Sequence, residues 1–292
     1  TTEIYTLSLH DALPILASSV ICSGSAYLPT IFTAADDESV GESLDGIWPP
    51  WSGGVGDKHY ANPAIWLYYN YFPSLNNVRL SFCQEAIRSE NNFQTSGTTV
   101  SHAQFFACIR GIVLTVSGSG SGSGTAVPLT VNNALMANVQ YPFTFNTISY
   151  ANVLRHCTID QSAHLVTASA SATLNFANSV FAQVTNLTSG PASLSGSYNG
   201  FSPSTSSKFG STSTRWICDY PPFQSGGGGG CYLANESGFR ARGTASVPST
   251  LLNALKTRTT HPPIAFPTFM HVSENLRLGP RVPRYVDRKS VV

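Results

Sequence analysis

The sequence predicts a mainly α-helical protein: an irregular helical domain with long polar loops and a few short strands. Three observations lead to this fold class. Segment 62–116 carries the densest apolar patterning in the chain, which is typical of a buried core. Apolar residues in that segment recur at helical spacings, which favours helices with one face on a core. A second segment, 162–184, is rich in alanine, the residue with the highest helix propensity.

The first predicted helix begins at Asn62 and Pro63. The Asn side chain can accept a hydrogen bond from a free N–H, and Pro stands where no donor is needed. The aromatic run 65–72 then predicts a helix buried on all sides, with Trp66 and Phe82 in the core. A strand is the alternative for this run, because Trp, Tyr and Ile also favour strands.

Later segments continue the helical pattern. The apolar stripes that predict helices consist of Leu75, Val78, Phe82 and Ala86, then Phe105, Ile109, Ile112 and Val116, then Val131, Leu135 and Val139. Segments 148–156 and 162–184 are also predicted as helices, and Pro248 and Ser249 open a short one at 250–257. Strands are predicted only at 143–150 and 216–220.

The polar segments define the domain boundaries. An acidic, turn-rich segment at 16–61 precedes a mainly helical domain at 62–260. Stretches rich in Ser, Gly, Pro and Asn predict flexible loops within that domain at 117–125, 185–214 and 221–230. Repeated prolines predict that 261–286 is an extended, Arg-rich arm.

Both ends of the chain resemble translated sequencing-library adapter. Residues 1–15, TTEIYTLSLHDALPI, read like one strand of such an adapter, and residues 287–292, DRKSVV, read like its reverse complement. Such segments are set aside from fold reasoning. We therefore expect 16–286 to be an internal piece of a longer open frame, with 1–15 and 287–292 contributing nothing to the fold.

The content and distribution of charged residues indicate what the protein could interact with. Charged residues make up only 11% of the chain, well below the usual quarter. Acidic residues dominate the front, whereas the basic residues collect from Arg240 onward. Such an imbalance suits self-association or contact of the basic end with a polyanion; solvated loops of opposite sign are the simpler interpretation.

No catalytic, cofactor-binding or metal site is predicted. His156, Cys157 and His164 come closest to a zinc cluster, but adjacent His and Cys side chains cannot both face one ion from a regular helix. The Ser/Gly alternation at 117–124 lacks the Lys and Ser/Thr of a phosphate-binding loop and never forms G-x-S-x-G.

The six cysteines are irregularly spaced and are expected to be mainly free buried thiols. A disulfide between Cys218 and Cys231 stays an alternative, because it would close the glycine-rich loop between them. Asn186 and Asn235 begin glycosylation sequons, a pattern that a Ser/Thr-rich chain also produces by chance.

The order of segments NPAIWLYYNYFPSLNNVRLSF, HAQFFACIRGIVLTV and a polar loop resembles the helical capsid proteins of small double-stranded RNA viruses of the partitivirus kind. This resemblance implies a helical shell subunit that assembles as a homodimer or larger, without an active site, in a virion. The predicted function is therefore a self-assembling structural subunit whose arm contacts RNA or a neighbouring subunit through Arg277, Arg281 and Arg284, without a cofactor or a membrane partner.

The alternative function is a secreted or cell-surface binding module without catalytic activity. The sequons, the potential Cys218–Cys231 bridge and the Ser/Thr/Gly-rich second half favour it. The helical stripes and the lack of visible repeats count against it. A secreted module is expected to have few free thiols.

Overall fold

A computed structural model shows that the chain forms a parallel β-solenoid of about 5 turns, so the prediction of a mainly α fold is wrong. The structure describes residues 7–8, 15–17, 22–25, 29–33, 61–68, 74–91, 97–116, 128–218, 222–226, 229–234 and 237–258.

Strands dominate the described residues, and their bounds are as follows. The strands are β1 (Leu7–Ser8), β2 (Ile15–Ala17), β3 (Thr30–Thr33), β4 (Ile65–Tyr68), β5 (Ser74–Ser81), β6 (Glu85–Asn91), β7 (Thr98–Phe106), β8 (Arg110–Val116), β9 (Leu129–Ala137), β10 (Tyr141–Phe145), β11 (Ser149–Arg155), β12 (Thr158–Ala168), β13 (Ala172–Ala177), β14 (Val180–Ser189), β15 (Ala192–Ser197), β16 (Asn199–Phe201), β17 (Arg215–Ile217), β18 (Phe223–Gly226) and β19 (Gly229–Leu233). A 3₁₀ turn at Thr212–Thr214 precedes β17, and the helix α1 spans Ser249–Arg258.

The strands stack in two interleaved parallel ladders. One ladder joins the odd-numbered strands β1 to β15, and the other joins the even-numbered strands β2 to β16 and then β17. Most strands thus pair with the strand two positions later, so that one turn of the solenoid contains two strands. The strand β9 pairs with both β11 and β12, because the break between these two strands falls at the first corner. Pairing is in register over long stretches, for example Ser74↔Thr99 to Ser81↔Phe106 between β5 and β7.

Single residues with left-handed backbone bend each turn at two corners. The first corner is the column Asn77, His102, Asn133, His156, Asn178 and Tyr198, with φ between 54° and 58°. The second corner is the column Phe82, Ala107, Asn138, Gln161 and Gln183, with φ between 50° and 58°. In five successive turns the two corners are 5 positions apart, as 77 and 82 show. A short flat face therefore lies between them in every turn.

The bends set which residues point inward. In each of five turns, buried residues follow one another at steps of 3, 2 and 3 positions, because each left-handed residue shifts the in–out alternation by one. The inward positions are 75, 78, 80 and 83, then 100, 103, 105 and 108, then 131, 134, 136 and 139, then 154, 157, 159 and 162, then 176, 179, 181 and 184.

This spacing explains why the sequence suggested helices. Steps of three across a corner imitate the period of an amphipathic helix, so the stripe from Leu75 to Ala86 fits both patterns. In the structure, the stripe from Leu75 to Ala86 belongs to the strands β5 and β6 and not to a helix. The predicted helices at 148–156 and 162–184 are likewise strands, β11 to β14. Trp66 and Phe82, expected in the core, are only partly buried. Trp66 instead donates from Nε1 to Glu90 Oε2 at 2.9 Å, outside the core.

Aromatic rings fill the C-terminal half of the core. Phe181 stacks on Phe201 at 5.1 Å and meets the edges of Phe176 at 5.2 Å and Phe209 at 5.4 Å. Phe181 and Phe201 occupy the same inward column in neighbouring turns, and Phe209 reaches them from the segment after β16. The first part of the predicted loop at 185–214 is therefore solenoid, since 185–201 contains the end of β14 together with β15 and β16.

The two predicted strands and the short predicted helix overlap elements of the structure. The predicted strand at 143–150 overlaps β10 and the start of β11, and that at 216–220 overlaps β17. The predicted helix at 250–257 is α1, with Leu251 and Leu255 buried. Most of the acidic segment, the Ser/Gly tract 117–124 and the arm 261–286 lie outside the described residues.

The segment after the last turn folds back along the solenoid. Thr244 N donates to Asn178 Oδ1 at 2.8 Å, while Asn178 Nδ2 donates to Thr244 O at 2.7 Å. Arg242 lies over the ring of Trp216 at 4.2 Å. At the other end, β1 and β2 pair with β3 and β4 through two and three residue pairs.

Candidate ligand-binding groove

The two corners have the same backbone geometry but differ in how their side chains are used. At the first corner, Asn133 Nδ2 donates to His102 Nδ1 at 2.9 Å, and Asn178 Nδ2 lies 3.2 Å from His156 Nε2. Burial, together with the positive charge of Arg155, lowers the pKa of His156 to about 4. His156 is therefore neutral at pH 7 and accepts the hydrogen bond from Asn178. These contacts give the first corner a structural role.

The second corner borders a groove of about 550 Å³. Nine residues line it, and none of them is charged at neutral pH: Cys108, Ile109, Asn138, Gln140, Gln161, Ser162, Ala163, Gln183 and Thr185. The lining comes from four successive turns. Because neighbouring strands are about 4.8 Å apart, the groove extends over roughly 14 Å along the solenoid axis.

Four carboxamides line this groove: Asn138, Gln140, Gln161 and Gln183. Their backbones are held by the solenoid; Asn138 N donates to Asp160 O at 2.9 Å, and Gln140 N donates to Cys108 O at 3.0 Å. Within the described part of the chain, none of the four side-chain amides has a hydrogen-bond partner. Each offers two donors on nitrogen and an acceptor on oxygen to whatever enters the groove. The solenoid thus fixes a row of unused polar groups at one edge.

A buried hydroxyl lies behind the groove lining. Ser162, on β12 directly after the corner residue Gln161, is 4% exposed, and its Oγ has no partner among the described residues. A buried hydroxyl without a hydrogen bond is costly, and this one lies in the inward column and not on the groove surface.

Two rings stand beside the groove. Tyr141 and His164 stack with centroids 5.9 Å apart and planes at 22°. They follow Gln140 and Ala163 of the groove lining directly in sequence, and both are partly exposed. His164 Nδ1 is buried without a partner in the described structure. The two rings stack on each other in neighbouring turns, so their facing surfaces cover one another.

The residues considered for zinc do not come together. Cys157 points into the core and is 1% exposed, His156 lies at the first corner, and His164 stacks on Tyr141. No group of three or more His, Cys, Asp or Glu side chains in the described ranges is arranged to hold a metal ion.

Other predicted residues have the following positions. Arg277, Arg281 and Arg284 lie outside the described residues. All six cysteines are free, and Cys83, Cys108, Cys157 and Cys218 are buried, which agrees with the expectation of buried thiols. Asn186 is exposed on β14, where its Nδ2 donates to Ala163 O at 3.4 Å.

Comparisons with models of protein families, with curated proteins and with solved structures found no match. Among the helices of the described residues, none is long and apolar enough to cross a membrane.

Sequence reasoning missed the groove. Its amides are 23 and 22 positions apart at 138, 161 and 183, and no local motif links them. The turns can be aligned with one another by their buried residues, which are spaced 3, 2 and 3 positions apart. This alignment would bring the amides at 138, 161 and 183 into one column, because each of them lies two positions after the third buried residue of its turn.

Proposed function

We propose that this chain is a non-catalytic binding module that holds a neutral, hydroxyl-rich ligand, an oligosaccharide chain, in the groove of the second corner. The observation that carries the proposal is the contrast between the corners. Side-chain amides of the first corner are bonded within the protein, whereas those of the second corner line a groove and have no partner in the described structure.

The chemistry of the lining supports a neutral sugar. Carboxamides donate and accept together, as pairs of adjacent hydroxyls require, and no charged side chain lines the groove to attract an ion. Because the groove follows the solenoid axis across four turns, a linear chain fits it better than a single sugar unit.

This proposal retains the hypothesis of a secreted or cell-surface binding module without catalytic activity. A thiol assay on the expressed protein tests its secreted part, because such a module should show few free thiols.

A binding experiment with variants tests the proposal. The protein is titrated with a panel of neutral linear oligosaccharides of increasing length, and affinity should rise with length until the groove is filled. Gln161→Ala and Gln183→Ala should each weaken binding about three- to tenfold, the value of one lost hydrogen bond. Asn175→Ala is the matched control, since Asn175 is an exposed amide on β13 that does not line the groove.

Salt dependence separates this ligand class from a polyanion. Binding of a neutral sugar should be unchanged between low and high salt, because no ion pair is screened. Equal losses in Gln161→Ala and Asn175→Ala, or binding by no member of the panel, would contradict the proposal.

The shell-subunit hypothesis stays a prediction. Its helical premise does not hold, and the arginines assigned to RNA contact lie outside the described residues. Retention of RNA at low salt, lost when Arg277, Arg281 and Arg284 are replaced by Gln, together with sedimentation as a dimer or larger, would support it.

A further inference from the structure

Two cysteines are stacked in neighbouring turns behind the groove. Cys83 and Cys108 both hold the fourth inward position, directly after the corner residues Phe82 and Ala107. Their backbones are in register, since Ile109 N donates to Cys83 O at 2.9 Å and Arg110 N donates to Gln84 O at 2.9 Å. Parallel neighbours about 4.8 Å apart fall within the Cα separation of roughly 4.4–6.8 Å that disulfides span.

The sulfur atoms converge within the core. Cys108 Sγ donates to Leu80 O at 3.6 Å, a carbonyl that belongs to the turn of Cys83. Cys83 Sγ donates to Ser81 O at 3.3 Å, next to that carbonyl. Phe106 O, in the turn of Cys108 itself, is a second acceptor within reach at 3.4 Å, and the hydrogen bond between the two thiols places Cys108 next to Cys83. In the next turns the same column holds Val139 and Ser162, so the sulfur pair is confined to these two turns.

We propose that Cys83 and Cys108 form a redox site at which a low-molecular-weight disulfide oxidises the two thiols to a bridge between adjacent turns. Cys108 is among the residues that line the groove, but it is 2% exposed, so the exchange requires a local opening of this corner. The inference stands independently of the sugar-binding proposal.

The reaction takes two exchanges. The Cys108 thiolate attacks one sulfur of the external disulfide, forms a mixed disulfide and releases one small thiolate. Cys83 then loses its proton and attacks Cys108 Sγ, which forms the Cys83–Cys108 bond and releases the second small thiolate. Two protein thiols are oxidised, and the external disulfide is reduced to two thiols.

The electrostatics of the pair favour this order. The hydrogen bond with Cys108, burial and the charge of Cys108 raise the pKa of Cys83 well above its usual value. Burial opposes ionisation of Cys108, but hydrogen bonds from Cys83 and the backbone lower its pKa from the usual value. Cys108 is therefore the better first nucleophile.

Cys157 provides a control within the same core. It is buried and free, but the residues next to it in its column are Ala134 and Ser179, so no second thiol stands beside it. Burial raises its pKa to about 12, partly offset by hydrogen bonds from the Ala134 backbone and Ser179.

The test treats the folded full chain with oxidised glutathione, then unfolds it in an alkylating agent and maps the peptides by mass spectrometry. We expect a Cys83–Cys108 linked peptide, loss of both thiols together, and full alkylation of Cys157. The bridge should also raise the Tm until a reductant is added. In Cys83→Ala the reaction should stop at glutathione-modified Cys108, and in Cys108→Ala Cys83 should stay unmodified. Full alkylation of both cysteines, or modified Cys108 without a linked peptide in the unsubstituted chain, would overturn the proposal.

Discussion

Phe105 and Phe106 offer a direct test of the solenoid, because they are neighbours on β7 that face opposite ways. Phe105 is 0% exposed in the core column with Leu80 and Met136, whereas Phe106 is 50% exposed. Replacing Phe105 by Ala should cost about 3–5 kcal/mol, the usual value for a buried phenylalanine. Replacing Phe106 should cost about 1 kcal/mol, because half of its burial and one edge contact to Phe82 at 6.5 Å are lost.

Urea unfolding followed by far-UV circular dichroism measures both changes. At equal slopes of free energy against urea, the midpoint of Phe105→Ala should fall several times further than that of Phe106→Ala. Because a solenoid turn is stabilised by its two neighbours, hydrogen exchange should also quicken in the adjoining strands β5 and β9.

Equal destabilisation by the two substitutions would refute the alternating arrangement. In a helix, successive side chains are about 100° apart, and both rings would partly face the core. A larger loss from Phe106→Ala would place the wrong ring inside.

Three further predictions concern stability. Burial and the charge of Arg155 lower the pKa of His156 from 6.5 to about 4, so protonation of His156 favours the unfolded state. The contribution of His156 to the free energy of unfolding should be complete above pH 6.5 and should fall by at most about 3 kcal/mol as the pH drops to about 4. The variant His156→Asn should show a weaker dependence of stability on pH. Gly196→Ala should destabilise by about 2 kcal/mol or more, because φ is +138° and an added Cβ would lie against the carbonyl oxygen of Phe176. Deleting 1–15 and 287–292 should leave the Tm within error, since β1 has only two residues and 1–15 includes only the first residue of β2.

Each of these has a distinct contrary result. Parallel pH profiles for the unsubstituted chain and His156→Asn would mean that His156 is not the titrating group. A change in Gly196→Ala no larger than in Ser195→Ala, its exposed neighbour, would rule out the close backbone contact. A loss of about 1 kcal/mol or more on deletion of the ends would indicate that they pack on the fold.

Local signals in the sequence were sufficient to predict the helix α1 but not the solenoid. The helix α1 was predictable because Pro248 and Ser249 mark its start and its leucines repeat at helical spacing. The solenoid was not, because its corner residues are Asn, His, Gln, Ala, Phe and Tyr instead of Gly, and nothing in a single turn marks them as bends. Left-handed backbone is expected at Asn but is unusual at Phe82 or Tyr198, where the stacked neighbours impose it.

The repeat was hidden for a second reason: the turns differ in length. Successive residues of the first corner are separated by 25, 31, 23, 22 and 20 positions, at 77, 102, 133, 156, 178 and 198. A search for repeats of one fixed length fails on such a chain, although the buried residues within each of the five turns keep the same spacing. The groove required this same alignment, because its amides become neighbours only when the turns are stacked.

Because its turns differ in length, the solenoid should tolerate residues inserted within a turn. Among the turns between the described first-corner residues, the longest runs from His102 to Asn133 and contains the Ser/Gly tract between β8 and β9. The pairing of β7 with β9 nevertheless runs in register on either side of the corner. Extra residues there change only the entropy of closing a loop, which rises by about 0.6 kcal/mol for each doubling of length. A peptide epitope or a small folded domain spliced into 117–124 should therefore leave the strands on both sides with their partners.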